Sequence, residues 1–198
     1  GPLPAVVVAH HGPGLDEHMQ DVLHRLHREG YMVALPDLFH RQPAGIDMMD
    51  RIGRLRDGEI IADMNAAVAH LKTKGVDITR FGVTGFCMGG RVAYLMACVN
   101  PEFKAAAVFY GGGILKNWGD GPAPFERSAG IQCPVIGFFG VEDINPSPED
   151  VKKIDAELTR LGKWHEFHNY NDTHHAFQNF LNPDRYRDFH KKIIAVIK

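Results

Sequence analysis

An α/β fold, with a mainly parallel sheet flanked by helices on both faces, is the architecture this 198-residue sequence predicts. Three observations predict it. Strand-like and helix-like patterns alternate almost without exception, as they do when parallel strands are joined by crossover helices. The first strand-like run, Ala5-Val6-Val7-Val8-Ala9-His10, is apolar without alternation, which is how a strand covered on both faces reads. The residues suited to chemistry, His10, His11, Cys87, Asp143 and His175, all fall just past strand-like runs, at the end where such sheets carry their sites.

Gly12-Pro13-Gly14 breaks the first strand. A helix is expected over about residues 16–29, with Met19, Val22, Leu23 and Leu26 on one face and Gly30 as its stop. Tyr31-Met32-Val33-Ala34-Leu35 is the second strand, ended by Pro36-Asp37. Residues 39–58 read as a polar connection. Ile60, Ile61, Met64, Ala67, Val68 and Leu71 have helical spacing over residues 59–73, closed by Gly75. Phe81-Gly82-Val83-Thr84 is the third strand, and a helix follows to Asn100-Pro101. The fourth strand covers residues 105–110, and a Gly/Pro-rich connection runs from 111 to 132. The fifth strand is Pro134-Val135-Ile136-Gly137-Phe138-Phe139-Gly140. Pro148 opens a helix at its first turn, where a missing N–H costs nothing and Glu149 and Asp150 suit the dipole. Residues 164–170 alternate as a sixth strand, and residues 183–197 form a last helix. No linker or repeat divides this pattern, so one domain over residues 1–198 is expected.

Net charge narrows the function. A formal charge of −2 gives no electrostatic case for nucleic acid or an anionic membrane as partner. No apolar run is long enough to cross a bilayer, and no signal-peptide pattern opens the sequence. The 3 cysteines, Cys87, Cys98 and Cys133, have neither disulfide nor zinc spacing. A cytoplasmic protein with reduced thiols, monomeric or a small homo-oligomer and without cofactor or metal, is the expectation.

Gly85-Phe86-Cys87-Met88-Gly89-Gly90 lies between the third strand and its helix. Gly-x-nucleophile-x-Gly in that setting is a nucleophile elbow, a strand-to-helix turn too tight for side chains at its flanking positions. It lifts its central residue above the sheet at a helix N-terminus, where the dipole favours a thiolate. Small buried cysteines are often inert, so the elbow matters through its companions. A thiol nucleophile needs a base, and the base an orienting acid. Glu142-Asp143, beyond the fifth strand, offers the acid; His174-His175, beyond the sixth, offers the base. The order nucleophile, acid, histidine is that of the α/β-hydrolase triad. The Met88 amide, together with one at or near Gly12, is placed to form an oxyanion hole.

These segments resemble the dienelactone hydrolase family, carboxymethylenebutenolidase-like α/β-hydrolases. The likeness runs over nearly the whole chain: residues 6–15, the Pro36-Asp37-Leu38 segment with Arg41, the cysteine elbow, Gly140-Val141-Glu142-Asp143 and His174-His175-Ala176-Phe177. The resemblance selects Asp143 over Glu142 and His175 over His174. It implies hydrolysis of a small ester or lactone through a Cys87-His175-Asp143 triad and a thioester acyl-enzyme. It also marks departures. His11 stands where the family carries a glutamate that governs the thiol, and its imidazole is expected to favour thiolate. Asn179 stands where the founding enzymes carry a substrate-binding arginine, and Arg51, Arg54 and Arg56 lie near a second. Many relatives have a strand pair before the one bearing His10. Two other readings remain: a metal site built from His10-His11 and His174-His175, and a non-catalytic binding protein on the same fold.

Overall fold

A computed structural model describes residues 1–178; the expected helix over 183–197 and Asn179 lie outside these. Six strands, β1 (Ala5–Ala9), β2 (Met32–Ala34), β3 (Phe81–Phe86), β4 (Phe103–Phe109), β5 (Val135–Gly140) and β6 (His165–Tyr170), form one sheet in the order β2-β1-β3-β4-β5-β6. Every neighbouring pair is parallel. In that order β2 lies at an edge, and Cys87 follows β3 near the centre. Five helices connect the strands: α1 (Glu17–Arg28), α2 (Met48–Gly53), α3 (Asp57–Lys72), α4 (Met88–Val99) and α5 (Pro148–Arg160). Local chemistry fixes their starts. Asp16 caps α1 by accepting from the Met19 N–H, and Ser147 and Asp150 form a reciprocal capping box on α5 behind Pro148.

Two connections hold more structure than their composition suggests. Residues 39–58 contain α2, capped by Asp47, and residues 111–132 contain a 3-10 helix, Phe125–Gly130. Each is only six residues long, too short for a helical period to emerge.

Alternate side chains leave β1 for two different cores. Ala5, Val7 and Ala9 pack with α3, α4 and α5 through Met64, Leu95 and Ile154. Val6 and Val8 pack with α1 through Met19. On the α1 face an aromatic ladder crosses four strands in register. Phe86 stacks on Phe109 and Phe109 on Phe138, each with centroids 4.7 Å apart, and Phe138 stacks on His168 at 5.4 Å. Such cross-strand rings lock the register of the strands whose ends carry the site.

The other face buries an ion pair. Arg91, in the first turn of α4, is fully buried and donates to both Asp57 carboxylate oxygens, at 2.6 and 3.0 Å. It also donates to the Gly113 and Lys116 carbonyls and lies 3.8 Å from the Trp118 ring. Asp57 in turn accepts from the Trp118 N–H. The pair thus ties α3 and the connection after β4 to the helix that starts at Cys87. Asp57→Ala leaves a buried, unpaired cation and is expected to cost about 3–5 kcal/mol in urea unfolding; adding Arg91→Met should recover much of it. Equal loss in the single and double variants would show that the charges themselves matter little.

Candidate active site

The β3–α4 turn leaves no space at its glycines. A Cβ on Gly85 would strike the Gly89 carbonyl, and one on Gly89 would strike the Ala9 carbonyl and approach the His10 carbonyl to 2.5 Å. With those positions bare, the chain reverses at Cys87, which takes φ 56° and ψ −122°. A left-handed φ at a non-glycine residue costs of order 1–3 kcal/mol and persists only when its surroundings hold it. They do here: the Cys87 N–H donates to Phe109 O at 3.0 Å, while Cys87 O accepts from the Gly90 N–H at 2.9 Å. Tyr110, just past β4, repeats the arrangement, with φ 38° and its N–H on Phe138 O at 2.8 Å.

Three loops converge on the thiol. Asp143, beyond β5, is buried and accepts the Asn145 N–H on Oδ1 at 2.9 Å. Its Oδ2 is 2.7 Å from His175 Nδ1, so that nitrogen carries the proton. Cys87 is near enough to the same imidazole for each group to shift the other's charge. The Tyr110 ring lies edge-on to His175 at 5.1 Å and to Phe177 at 4.8 Å, fixing the plane of the imidazole. The backbone amides of Met88 and Gly12 lie near enough to the Cys87 sulfur to favour its thiolate.

These contacts set the charges. Burial opposes ionisation of the Cys87 thiol, but the His175 hydrogen bond and charge, with the Met88 and Gly12 amides, outweigh it and bring the pKa below the ordinary thiol range. Burial likewise disfavours the His175 imidazolium. Hydrogen bonds and charge from Asp143 and Cys87 overcome it and raise the pKa to about 10. Both shifts favour the thiolate–imidazolium form of the pair. Cys98 and Cys133 differ: burial pushes Cys98 up to about 12 and Cys133 above its usual value.

The model of the dienelactone hydrolase family matches residues 1–192. This chain belongs to the dienelactone hydrolase family. Members are hydrolases of the ester and lactone type. An Escherichia coli K12 protein provisionally named a carboxymethylenebutenolidase is 31% identical over 195 residues, covering 92% of this chain and 70% of that one. A Synechocystis protein with the same provisional name is 33% identical over 190 residues, covering 89% and 76%. The crystal structure of a Klebsiella pneumoniae protein provisionally named a dienelactone hydrolase superposes with a TM-score of 0.89 at 28% identity, covering 98% of this chain and 86% of that one.

Against the family pattern, the position of His11 stands apart. Its Nε2 is 2.7 Å from Asp16 Oδ2, and its ring lies 5.4 Å from that of His18. The imidazole is thus held by Asp16, the residue that caps α1. The other histidines weighed as metal ligands have partners too. Buried His10 accepts the Leu38 N–H on Nε2 and donates from Nδ1 to His11 O; His174 pairs with Glu142 at 2.7 Å. Among the described residues no group of three His, Cys, Asp or Glu side chains stands ready for a metal ion. Of the arginines near the family's second substrate arginine, Arg51 stacks over Phe39 at 4.2 Å and Arg56 donates to the Gly53 and Leu55 carbonyls. Arg41 is paired with Asp63.

The sequence reading missed Tyr110, Arg91, Asp57 and α2. Arg91 carried one signal: it is the single charge in an otherwise apolar helix.

The charge assignment has a direct consequence. Because the Cys87 pKa is lowered, iodoacetamide should alkylate it at a rate that stays level to a pH below the ordinary thiol range, while Cys98 and Cys133 resist. In His175→Asn only burial and the two amides remain, so the level region should begin at higher pH. Labelling followed by peptide mass spectrometry reads both; coincident wild-type and His175→Asn profiles would remove the pair.

Proposed function

We propose that this protein hydrolyses a small carboxylic ester or lactone by nucleophilic catalysis at Cys87. The observation that carries the reading is the convergence on one sulfur of the His175–Asp143 pair and the amides of Met88 and Gly12. The Cys87 thiolate attacks the carbonyl carbon, and the oxygen gains the negative charge between the two amides. The tetrahedral intermediate collapses as its C–O bond breaks. His175 gives its Nε2 proton to the departing alkoxide, leaving a thioester on Cys87. Water then attacks the thioester while His175 takes its proton. The second intermediate expels the thiolate and releases the acid. Asp143 holds Nδ1–H throughout, so that Nε2 always faces the reaction.

The strained elbow serves this sequence in two ways. It brings the sulfur to the start of α4, where the helix dipole and the Met88 N–H act together. It also makes the amide of the residue after the nucleophile part of the same turn, so sulfur and oxyanion site keep a fixed spacing. The reactants are a small molecule and water, and no cofactor enters any step.

A panel of lactones and 4-nitrophenyl esters tests this reading. Cys87→Ala should lower kcat/KM for any accepted substrate by at least about 10³-fold, and His175→Asn by a comparable factor, with little change in KM. Activity that survives Cys87→Ala would rule out the thiol as nucleophile.

A further inference from the structure

The α2 helix is unusual in burying none of its own residues. One side of it nevertheless meets the site. The position a Gly12 Cβ would occupy lies 3.0 Å from the Met48 sulfur and 3.2 Å from Ile52 Cδ1. Met48 and Ile52 are four residues apart, so they share a face, and that face covers the Gly12 turn. Gly12 is the residue whose amide, with that of Met88, favours the Cys87 thiolate. A carbonyl with its oxygen on the Gly12 and Met88 amides would have its substituents within reach of the Met48 thioether.

Met48 is not there to fill a core. The residue remains 42% exposed. Other large apolar side chains are also exposed at this end of the sheet: Leu15 at 45% beyond β1 and Ile144 at 90% beside Asp143. Exposed apolar surface around a polar site marks binding of something apolar. A thioether adapts to irregular hydrocarbon shapes better than a branched side chain does. Arg51, the cation on the same helix, lies against the Phe39 ring.

We infer that Met48 and Ile52 form the apolar wall of the substrate site and select esters and lactones that place a neutral hydrocarbon group, alkyl or aryl, against them. The inference rests on the Cys87 reading above and adds the class of group beside the reacting carbonyl.

A series of 4-nitrophenyl esters tests it: acetate, butyrate, hexanoate and the anionic hemisuccinate. Wild-type kcat/KM should rise from acetate to hexanoate and favour butyrate over hemisuccinate. Met48→Ala should reduce the hexanoate-to-acetate ratio about fivefold, the effect of losing roughly half a buried methionine contact. Met48→Leu should restore the ratio, which distinguishes a wall from a merely structural residue. An unchanged ratio in Met48→Ala, or a wild-type preference for hemisuccinate, overturns the wall while Cys87-dependent activity persists. Activity independent of Cys87 in the same assay overturns the underlying reading and the wall with it.

Discussion

No side chain fits between the end of β3 and the carbonyls of Ala9 and His10, and the rest of the site follows from that steric limit. With glycine at positions 85 and 89, β3 can turn directly into α4 while keeping its place beside β1. The turn forces Cys87 into a left-handed conformation and raises its sulfur toward the loops beyond β1, β5 and β6. The Met88 and Gly12 amides meet the sulfur because both belong to segments packed against those same glycines. Replacing either glycine would displace the nucleophile and its oxyanion donors together.

The molecule surrounds this turn with rigid parts. Beneath it, the stacked rings of Phe86, Phe109 and Phe138 hold three strands in register on the α1 face. Behind it, the Arg91–Asp57 pair binds α4 to α3 and to the connection after β4. A buried ion pair is a poor source of stability compared with apolar packing of the same volume, but its directional bonds suit positioning. Tyr110 links the aromatic cluster to the histidine loop, its ring 6.4 Å from that of Phe86. It leaves β4 with a positive φ, is buried, and sets its ring against His175. Cys87 therefore sits on an over-determined turn, while His175 rests on a loop braced by the Tyr110 ring and the Asp143 carboxylate.

Much of this was legible in the sequence because it depends on local chemistry. The alternation of runs gave the sheet, the elbow glycines gave the position of Cys87, and Pro148 gave the start of α5. What stayed hidden depends on distance along the chain or on shape. Asp57 and Arg91 are 34 residues apart, and neither signals the other. Nothing in the residue type of Tyr110 announces a positive φ. In α2, six residues with apolar side chains at only a few positions read as polar loop. His11 is a subtler case. Its place after β1 suggested a role beside the thiol, and its pairing with Asp16, five residues on, which caps α1, was not legible there.

The central claim is that Cys87 attacks the substrate and carries the acyl group. Rapid acid quenching of the protein mixed with 4-nitrophenyl butyrate, followed by peptide mass spectrometry, tests it most directly. The account predicts a butyryl adduct on the peptide holding Cys87, formed within the first turnover, accumulating in His175→Asn and absent from Cys87→Ala. Ester turnover with an unmodified Cys87 at every quench time, in wild type and in His175→Asn alike, would contradict it.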